Sequence, residues 1–176
     1  MTSITYEKLS EETLDAALED LAEILFACVK SGASVSFVQP FDKEQASDFW
    51  REKVFPKVRE DNTALFAARI EGRVVGTVQM NCDLPPNQAH RCEVAKLLVH
   101  PHFRKRGIAT TLMEMLEEEA RRLEKSLITL DTRSGDQAEP LYILLDYKIG
   151  GRIPNFARAT DSERLDSTTY MYKILR

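Results

Sequence analysis

The sequence predicts one α/β domain of the α+β kind, in which a mixed, mostly antiparallel sheet carries helices on both sides. Two apolar stripes with helical spacing, at 11–30 and 105–125, indicate long amphipathic helices. Three runs rich in strand formers lie between them and indicate an antiparallel meander. A further apolar run at 127–132 follows the second long helix, so a right-handed crossover should pair two strands in parallel.

The individual elements follow from the same patterns. Strands are predicted at 4–8, 64–70, 73–80, 90–99, 127–132, 147–152 and 167–175. Helices are predicted at 11–30, from Asp42 to a break near Pro56, at 105–125 and at 137–146. Gln45 stands where it would complete a capping box with Asp42, and Glu71-Gly72 is a hairpin signal between the first two meander strands.

Composition narrows the class of protein. The 176 residues correspond to about one domain, 1–176, and 43% apolar with 30% charged residues excludes a disordered chain. A net charge of −4 argues against nucleic acid or an anionic membrane as partner. Three cysteines cannot all pair, and the chain has no membrane-spanning apolar run and no secretory signal at Met1-Thr2-Ser3-Ile4. A soluble cytoplasmic protein is therefore expected.

The segment from Val99 to Ala109 carries the clearest functional signal. An apolar strand ends there, a Pro-containing loop follows, and Arg104-x-x-Gly107-x-Ala109 opens a helix. Unpaired N–H groups at a helix start form an anion site, and small residues let phosphate oxygens approach the backbone. A short basic motif alone is more typical of a solvated patch, but the order of strand, loop, motif and helix favours a pyrophosphate site.

At these residues the chain resembles the GNAT superfamily of acetyl-CoA-dependent N-acetyltransferases. A second family mark reads Ala138-Glu139-Pro140-Leu141-Tyr142, followed by Leu145-Asp146-Tyr147. The runs 91–99 and 76–79 further resemble the branch that contains the tabtoxin resistance acetyltransferases. The chain departs from the family at Asp146, where glycine is usual, and at Gly135-Asp136-Gln137, where an asparagine is often found.

The resemblance implies a GNAT-like fold with acetyl-CoA as co-substrate, held in a splayed gap between the two central parallel strands. It implies that backbone groups of Leu97, Leu98 and Val99 hold the acetyl-pantetheine arm. It implies that the phosphates are held by the backbone N–H groups of Arg104, Lys105, Arg106, Gly107, Ile108, Ala109 and Thr110, and the side chains of Arg104, Lys105 and Arg106 are expected to add positive charge. No metal is expected, since His100 and His102 alone make a poor ligand set.

Acetyl transfer to an amine requires a base, because an amine with a pKa of ~10.4 arrives as an ammonium ion. It also requires a proton donor for the departing thiolate. The family match places Tyr142 as general acid, although an arbitrary tyrosine would be a core residue. Glu93 and Asp131 are the candidate bases, either directly or through water. Strand alternation puts Glu93 on the same face as Leu97, and Asp131 ends an apolar strand, where open sheets place ligand sites. Each has a non-catalytic alternative. Glu93 would be an exposed carboxylate paired with Arg91 or Lys96, and Asp131 would be a cap or turn residue.

Three residues are candidates for the acceptor pocket. Gln79 is the one uncharged amide in its apolar strand and is predicted to line the pocket, or else to face solvent. Phe37 and Phe41 lie on the loop between the first two helices, where they form a substrate wall or plug the core. Cys92 has no histidine arranged to activate it, so a small buried hydrophobe is the favoured interpretation.

The favoured function is direct transfer of an acetyl group to the primary amine of a small, amino-acid-like molecule. Loops at 33–41 and 153–166 would narrow a groove across the sheet, which favours a small acceptor. The alternatives are a peptide or protein N-acetyltransferase and a non-catalytic acetyl-CoA-binding module. A homodimer is compatible with the sequence, which does not identify the acceptor amine.

Overall fold

The computed structural model describes residues 3–175. Residues 1, 2 and 176 lie outside the described residues, and with them the ends of the predicted domain 1–176 and the Met1-Thr2 part of the segment read for a signal. The strands are β1 (Ile4–Lys8), β2 (Thr63–Ile70), β3 (Arg73–Asn81), β4 (Arg91–Val99), β5 (Leu127–Arg133), β6 (Lys148–Arg158) and β7 (Leu165–Ile174). The helices are α1 (Glu11–Lys30), α2 (Lys43–Asp48), α3 (Phe55–Arg59), α4 (Ile108–Arg122) and α5 (Ala138–Leu144), with a π-helical turn, Phe49–Val54, between α2 and α3.

The seven strands form one sheet in the order β1-β2-β3-β4-β5-β7-β6. The β4–β5 pair is parallel and the other five neighbouring pairs are antiparallel. Helices α1, α2 and α3 cover one side, the α1 face, through a cluster that includes Leu65 and Leu98. Helices α4 and α5 cover the other side, the α4 face, through a cluster that includes Val78 and Cys92. The predicted fold class is confirmed.

Local sequence signals account for most element ends. Asp42 accepts a hydrogen bond from the Gln45 backbone N–H, and the Gln45 side chain accepts one from the Asp42 N–H, so the predicted capping box is present. Glu71 and Gly72 both have positive φ, as a two-residue hairpin turn with the twist of its strands requires. The irregular turn of the second helix lies before Pro56 rather than at it, because Pro56 stands at the start of α3, where no N–H partner is lost.

The prediction was wrong at the C-terminal hairpin. β6 continues to Arg158 and β7 begins at Leu165. Most of the predicted loop 153–166 is therefore strand. Pro154 and Asn155 interrupt the sequence pattern, but β6 is an edge strand, where a residue without an N–H costs no ladder bond. A register shift between Ile153 and Ala157 accommodates Asn155, which has a φ of 53°.

Within residues 3–175, the helices are all too short or too polar to cross a bilayer.

Candidate active site

The central feature of the sheet is a cleft between its two parallel strands. β4 and β5 pair over Arg91–Cys92–Glu93 and Leu127–Ile128–Thr129 and then diverge. The resulting cavity has a volume of about 640 Å³ and is lined by the second half of β4, the end of β5, the start of α4, the α5 segment and the loop after α1. Because β4 has no strand partner on this side, its backbone polar groups are available to a ligand.

A bulge in β4 determines which side chains face the cleft. Thr77 pairs with Leu98, whereas Gln79, two residues further along β3, pairs with Ala95, three residues back along β4. β4 therefore contains one extra residue, and Lys96 adopts a left-handed conformation with a φ of 50°.

The bulge overturns the expected relation between Glu93 and Leu97. Simple alternation would put both on one face, but the extra residue reverses the alternation beyond Ala95. Leu97 packs against the core of the α4 face, and Leu98 packs into the core of the α1 face. Glu93 lies opposite Asn81, on the face away from the buried Cys92. Leu97, Leu98 and Val99 nevertheless all line the cleft.

The start of α4 forms a cradle that fits a diphosphate. Gly107 is its N-cap residue with a φ of 77°, a conformation that glycine adopts without strain. A Cβ at Gly107 would have no atom within 4 Å, so the backbone faces open space. The first N–H groups of a helix have no partner within it, and here they belong to residues that line the cleft. Ile108, Ala109 and Thr110 complete the cleft wall.

The basic residues before α4 differ in where their side chains lie. Arg104 and Lys105 line the cleft. Arg104 Nε donates to the Val99 carbonyl at 3.1 Å, and its Nη2 lies 3.6 Å from Cys28 Sγ. Arg106 instead places its guanidinium 5.2 Å from the Phe103 ring centroid and lines a second cavity, of about 570 Å³. The Arg106 side chain therefore lines the second cavity and not the cleft.

Tyr142 lies on α5 and lines the cleft with 5% of its surface exposed. Burial, and next the carboxylates of Asp131 and Asp136, raises its pKa above the ordinary value. The phenol is therefore protonated throughout the physiological pH range. The unusual Asp146 takes a φ of 67° just beyond the helix, so the left-handed conformation for which glycine is usual is formed by aspartate here.

The two candidate carboxylates have different surroundings. Asp131 is exposed, lines the cleft and accepts a hydrogen bond from Thr168 Oγ1 at 3.0 Å. Glu93 is not among the lining residues, and its Oε1 accepts from Arg91 Nη1 at 2.7 Å. Glu93 pairs in register with Thr129, two residues before Asp131, so both acids lie on the α1 face.

None of the three predicted acceptor residues lines the cleft. Phe41 is 8% exposed and belongs to the core of the α1 face. Phe37 is half-buried, with its ring centroid 4.6 Å from that of Phe41 and 5.2 Å from that of Phe49. Gln79 is buried rather than solvent-facing, and its Nε2 has no hydrogen-bond partner among residues 3–175.

The favoured interpretation of Cys92 agrees with its environment. It is fully buried in the core of the α4 face, and burial raises the pKa of its thiol to about 12. A neutral buried thiol is a poor nucleophile. In the part of the chain that the structure describes, no three His, Cys, Asp or Glu side chains lie where they could hold a metal ion.

Two cleft residues were missed in the sequence. Lys96 lines the cleft beside Ala95 and Leu97, and Arg133 closes its far end by donating from Nη1 to the Gly32 carbonyl at 3.1 Å. The available signal for Lys96 was a basic residue inside an otherwise apolar part of β4. Nothing in the pattern marks the bulge that turns it toward the α1 face.

Comparison with known proteins gives a family match. The model of the family described as "Acetyltransferase (GNAT) family" matches residues 17–145, which include the cradle, Asp131 and Tyr142. An uncharacterised N-acetyltransferase from the hisH–hisA intergenic region of Azospirillum brasilense is 29% identical over 160 residues, which cover 88% of this chain and 92% of that protein.

Solved structures share the fold. A ribosomal-protein-alanine N-acetyltransferase from Brucella melitensis has a TM-score of 0.78 at 22% identity, covering 97% of this chain and 99% of that one. An acetyltransferase from Salmonella typhimurium, determined with its cofactor acetyl-CoA, has a TM-score of 0.78 at 17% identity, covering 98% and 94%. An N-acetyltransferase from Staphylococcus aureus has a TM-score of 0.81 at 16% identity, covering 99% and 100%.

Proposed function

This chain belongs to the GNAT family of acetyltransferases, and from that premise we propose that it transfers the acetyl group of acetyl-CoA to the primary amine of a small molecule. One observation carries the proposal: the diphosphate cradle, the free edge of β4, Asp131 and Tyr142 all open into one cleft. An anion site alone would suit a binding module. A carboxylate and a protonated phenol in the same cleft supply what acyl transfer to an amine needs.

The donor is held by the backbone. Acetyl-CoA supplies an acetyl group activated as a thioester. The N–H groups at the start of α4 bind its phosphates, Arg104 and Lys105 add positive charge, and the edge of β4 from Leu97 to Val99 binds the pantetheine amides. The Val99 carbonyl already accepts from Arg104 Nε, so that guanidinium is fixed in place before a ligand binds.

The acceptor amine approaches from the α1 face. Asp131 is exposed there and its carboxylate binds the ammonium, then takes a proton from it directly or through one water. Thr168 Oγ1 fixes one carboxylate oxygen and leaves the other free. Glu93 has a supporting role in this proposal, because Arg91 already neutralises it.

Tyr142 donates the proton that the thiolate needs. Its raised pKa keeps the phenol protonated at neutral pH, so a proton is available at every turnover. The Tyr142 side chain lines the cleft and is also part of the core of the α4 face. The rigid core around it holds the donor in one orientation.

Three further expectations belong to the same proposal. Kinship with the branch of the tabtoxin resistance acetyltransferases rests on residues 76–79 and 91–99. A cytoplasmic location rests on the unpaired state of Cys28, Cys82 and Cys92. A homodimer would be built on the outer strand β6, which exposes Ile149, Ile153 and Phe156.

The proposal is tested by incubating the protein with acetyl-CoA and a panel of amines and following the release of free thiol. Amino acids, simple alkylamines and peptides with a free N-terminus form the three arms of the panel. Faster release with small amines than with peptides supports the proposal. Release with peptides alone favours a peptide N-acetyltransferase, and calorimetric binding of acetyl-CoA without release from any arm favours a binding module.

A further inference from the structure

Lys96 has a side chain that the proposed chemistry does not use. It stands at the bulge of β4, and its Nζ lies 5.9 Å from the ring centroid of Phe37 and 5.4 Å from that of Phe49. Within residues 3–175 its ammonium group makes one hydrogen bond, a long one of 3.5 Å to Ser36 Oγ. The ammonium group is thus placed on the α1 face of the cleft by two aromatic rings and a hydroxyl group.

The positive charge of Lys96 lacks an anionic partner. Within residues 3–175 no carboxylate lies within 4.0 Å of its Nζ, although burial lowers its pKa and therefore disfavours the charged form. An ammonium has three donors, and aromatic faces satisfy none of them as hydrogen bonds. A half-buried charge in this condition gains from a ligand that brings an anion.

The diphosphate is a poor choice for that anion. The cradle at the start of α4 has its own donors, and Arg104 and Lys105 already supply charge there. The pantetheine amides carry no charge. The acceptor is the remaining molecule that enters the cleft, and it enters on the α1 face, where the Lys96 side chain lies.

The negative charge of Asp131 acts on Lys96 in the cleft, because it raises the pKa of Lys96 and so favours the ammonium form. The two side chains line the same cavity from β4 and β5, and neither is in a salt bridge with the other within residues 3–175. A molecule with an anionic and a cationic group can therefore lie between them with opposite charges in contact at both ends.

We propose that Lys96 binds the carboxylate of an amino-acid acceptor whose ammonium group binds Asp131. This inference rests on the proposed acetyl transfer and names its substrate class, a free amino acid with the amine and the carboxylate close together. Phe37 and Phe49 hold the Lys96 ammonium in position.

The test compares acceptors that differ by one carboxylate. Leucine, methionine and phenylalanine are each assayed beside the amine left when their carboxylate is removed. The native protein should show a kcat/KM about 10- to 100-fold higher for the amino acid, the range expected of a charge-assisted hydrogen bond. Lys96→Met should abolish that preference, and Lys96→Arg should retain most of it, because the charge remains.

Two controls and one further binding measurement separate this inference from the function itself. Lys53→Met removes an exposed lysine of the π-helical turn and should leave the preference unchanged. Calorimetry with acetyl-CoA should give the same Kd for Lys96→Met and the native protein. Calorimetry with 4-methylpentanoate, which is leucine without its amine, should show binding to the native protein and at least 10-fold weaker binding to Lys96→Met.

The outcomes are distinct. If no amine of any kind releases thiol from acetyl-CoA, the proposed function is overturned. If thiol is released but the native protein does not prefer the amino acids, or if Lys96→Met lowers both members of a pair equally, the role of Lys96 is overturned while acetyl transfer stands.

Discussion

At the scale of single residues, two buried tyrosines on the same face of the sheet have different tasks. Tyr142 and Tyr147 are neighbours on the α4 face with ring centroids 5.8 Å apart, and burial raises the pKa of both phenols. Tyr142 lines the cleft, whereas Tyr147 is buried beside Glu117. Access to the cleft, and not acidity, therefore distinguishes the proposed acid from a structural tyrosine.

Replacing Tyr142 by phenylalanine should lower kcat by about 100-fold, because the thiolate then leaves without a positioned proton donor. The Kd of acetyl-CoA should change by less than about twofold, since the ring is retained and the phenol hydroxyl is not needed for phosphate binding. Steady-state kinetics and calorimetry measure the two quantities. Tyr6→Phe, at the far edge of the sheet on β1, is the control. Equal kcat values for the native protein and Tyr142→Phe would remove Tyr142 as the acid.

Asp131→Asn should lower kcat/KM for the amine by about 100-fold, because an amide neither attracts the ammonium nor takes its proton. Glu93→Gln should cost less than about fivefold, the worth of a partly exposed ion pair with Arg91. Both substitutions keep size and hydrogen-bonding shape. Steady-state kinetics with the same amine compares kcat/KM for the two variants. A larger loss for Glu93→Gln would make Glu93 the base and Asp131 the supporting residue.

The sequence predicts single-residue roles well where a motif carries them and poorly where the backbone is irregular. The positions of Gly107 and Tyr142 in the cleft follow from short motifs with fixed spacing. The prediction that Glu93 and Leu97 share a face failed because β4 contains one extra residue. That residue reverses the alternation of side chains, and no sequence pattern indicates it. Lys96 was overlooked for the same reason, since a strand lysine is ordinarily solvated.

At the scale of elements, the start of α4 is the part whose geometry matters most to donor binding. Its N-cap residue is left-handed, and the helix docks closely on the sheet. A Cβ at Gly76 of β3 would come within 2.8 Å of Ile108 Cγ2, so the first turn of α4 lies directly on β3. The cradle is thus supported from below by the sheet.

Gly107→Glu should abolish measurable acetyl-CoA binding, because the new carboxylate would occupy the cradle and repel the phosphates. Gly72→Glu is a matched control, since Gly72 also has a positive φ and open space around its Cβ, but lies in the β2–β3 turn. Each change should lower the free energy of unfolding by about 1 kcal/mol through backbone strain. Calorimetry and urea unfolding separate the two effects. Normal acetyl-CoA affinity in Gly107→Glu would argue against the cradle.

The order of elements was predictable because hydrophobic period and capping residues carry it. Both long helices, the meander and the crossover follow from apolar spacing. The extent of β6 did not follow, because its residues are almost all exposed and show no alternation. An edge strand is held by backbone hydrogen bonds to one neighbouring strand. Pro154, a residue typical of loops, led to the prediction of a loop at this position.

At the scale of the whole molecule, an ion-pair network joins distant parts of the chain. Glu119 on α4 accepts from Lys8 of β1 at 2.7 Å and from Arg122 Nε at 2.7 Å. These hydrogen bonds lower the pKa of Glu119 to about 2, with Arg122 as the largest cause. The network ties the outer strand to the central helix across 111 positions of sequence.

Glu119→Gln should reduce the free energy of unfolding by about 1–2 kcal/mol at pH 7, less than the full pKa difference suggests because both cationic partners are exposed. The folded pKa lies below the unfolded value, so this stability is present above pH 4.5 and is lost as the pH falls toward 2. Urea unfolding at pH 7 and pH 3 should therefore show a smaller difference at pH 3. Glu118→Gln, at the exposed neighbouring position, should show no such difference.

The bulge at Lys96 lets a single strand serve two compartments. In the proposed function, the β4 residues before the bulge present side chains to the acceptor, and Leu97 to Val99 after it present their main chain to the coenzyme. Substitutions before the bulge can then retune which amine is accepted while the donor site is left intact. Removing one residue at 96 or 97 would restore regular alternation in β4 and should weaken the binding of both the acceptor and acetyl-CoA, which calorimetry with each ligand measures.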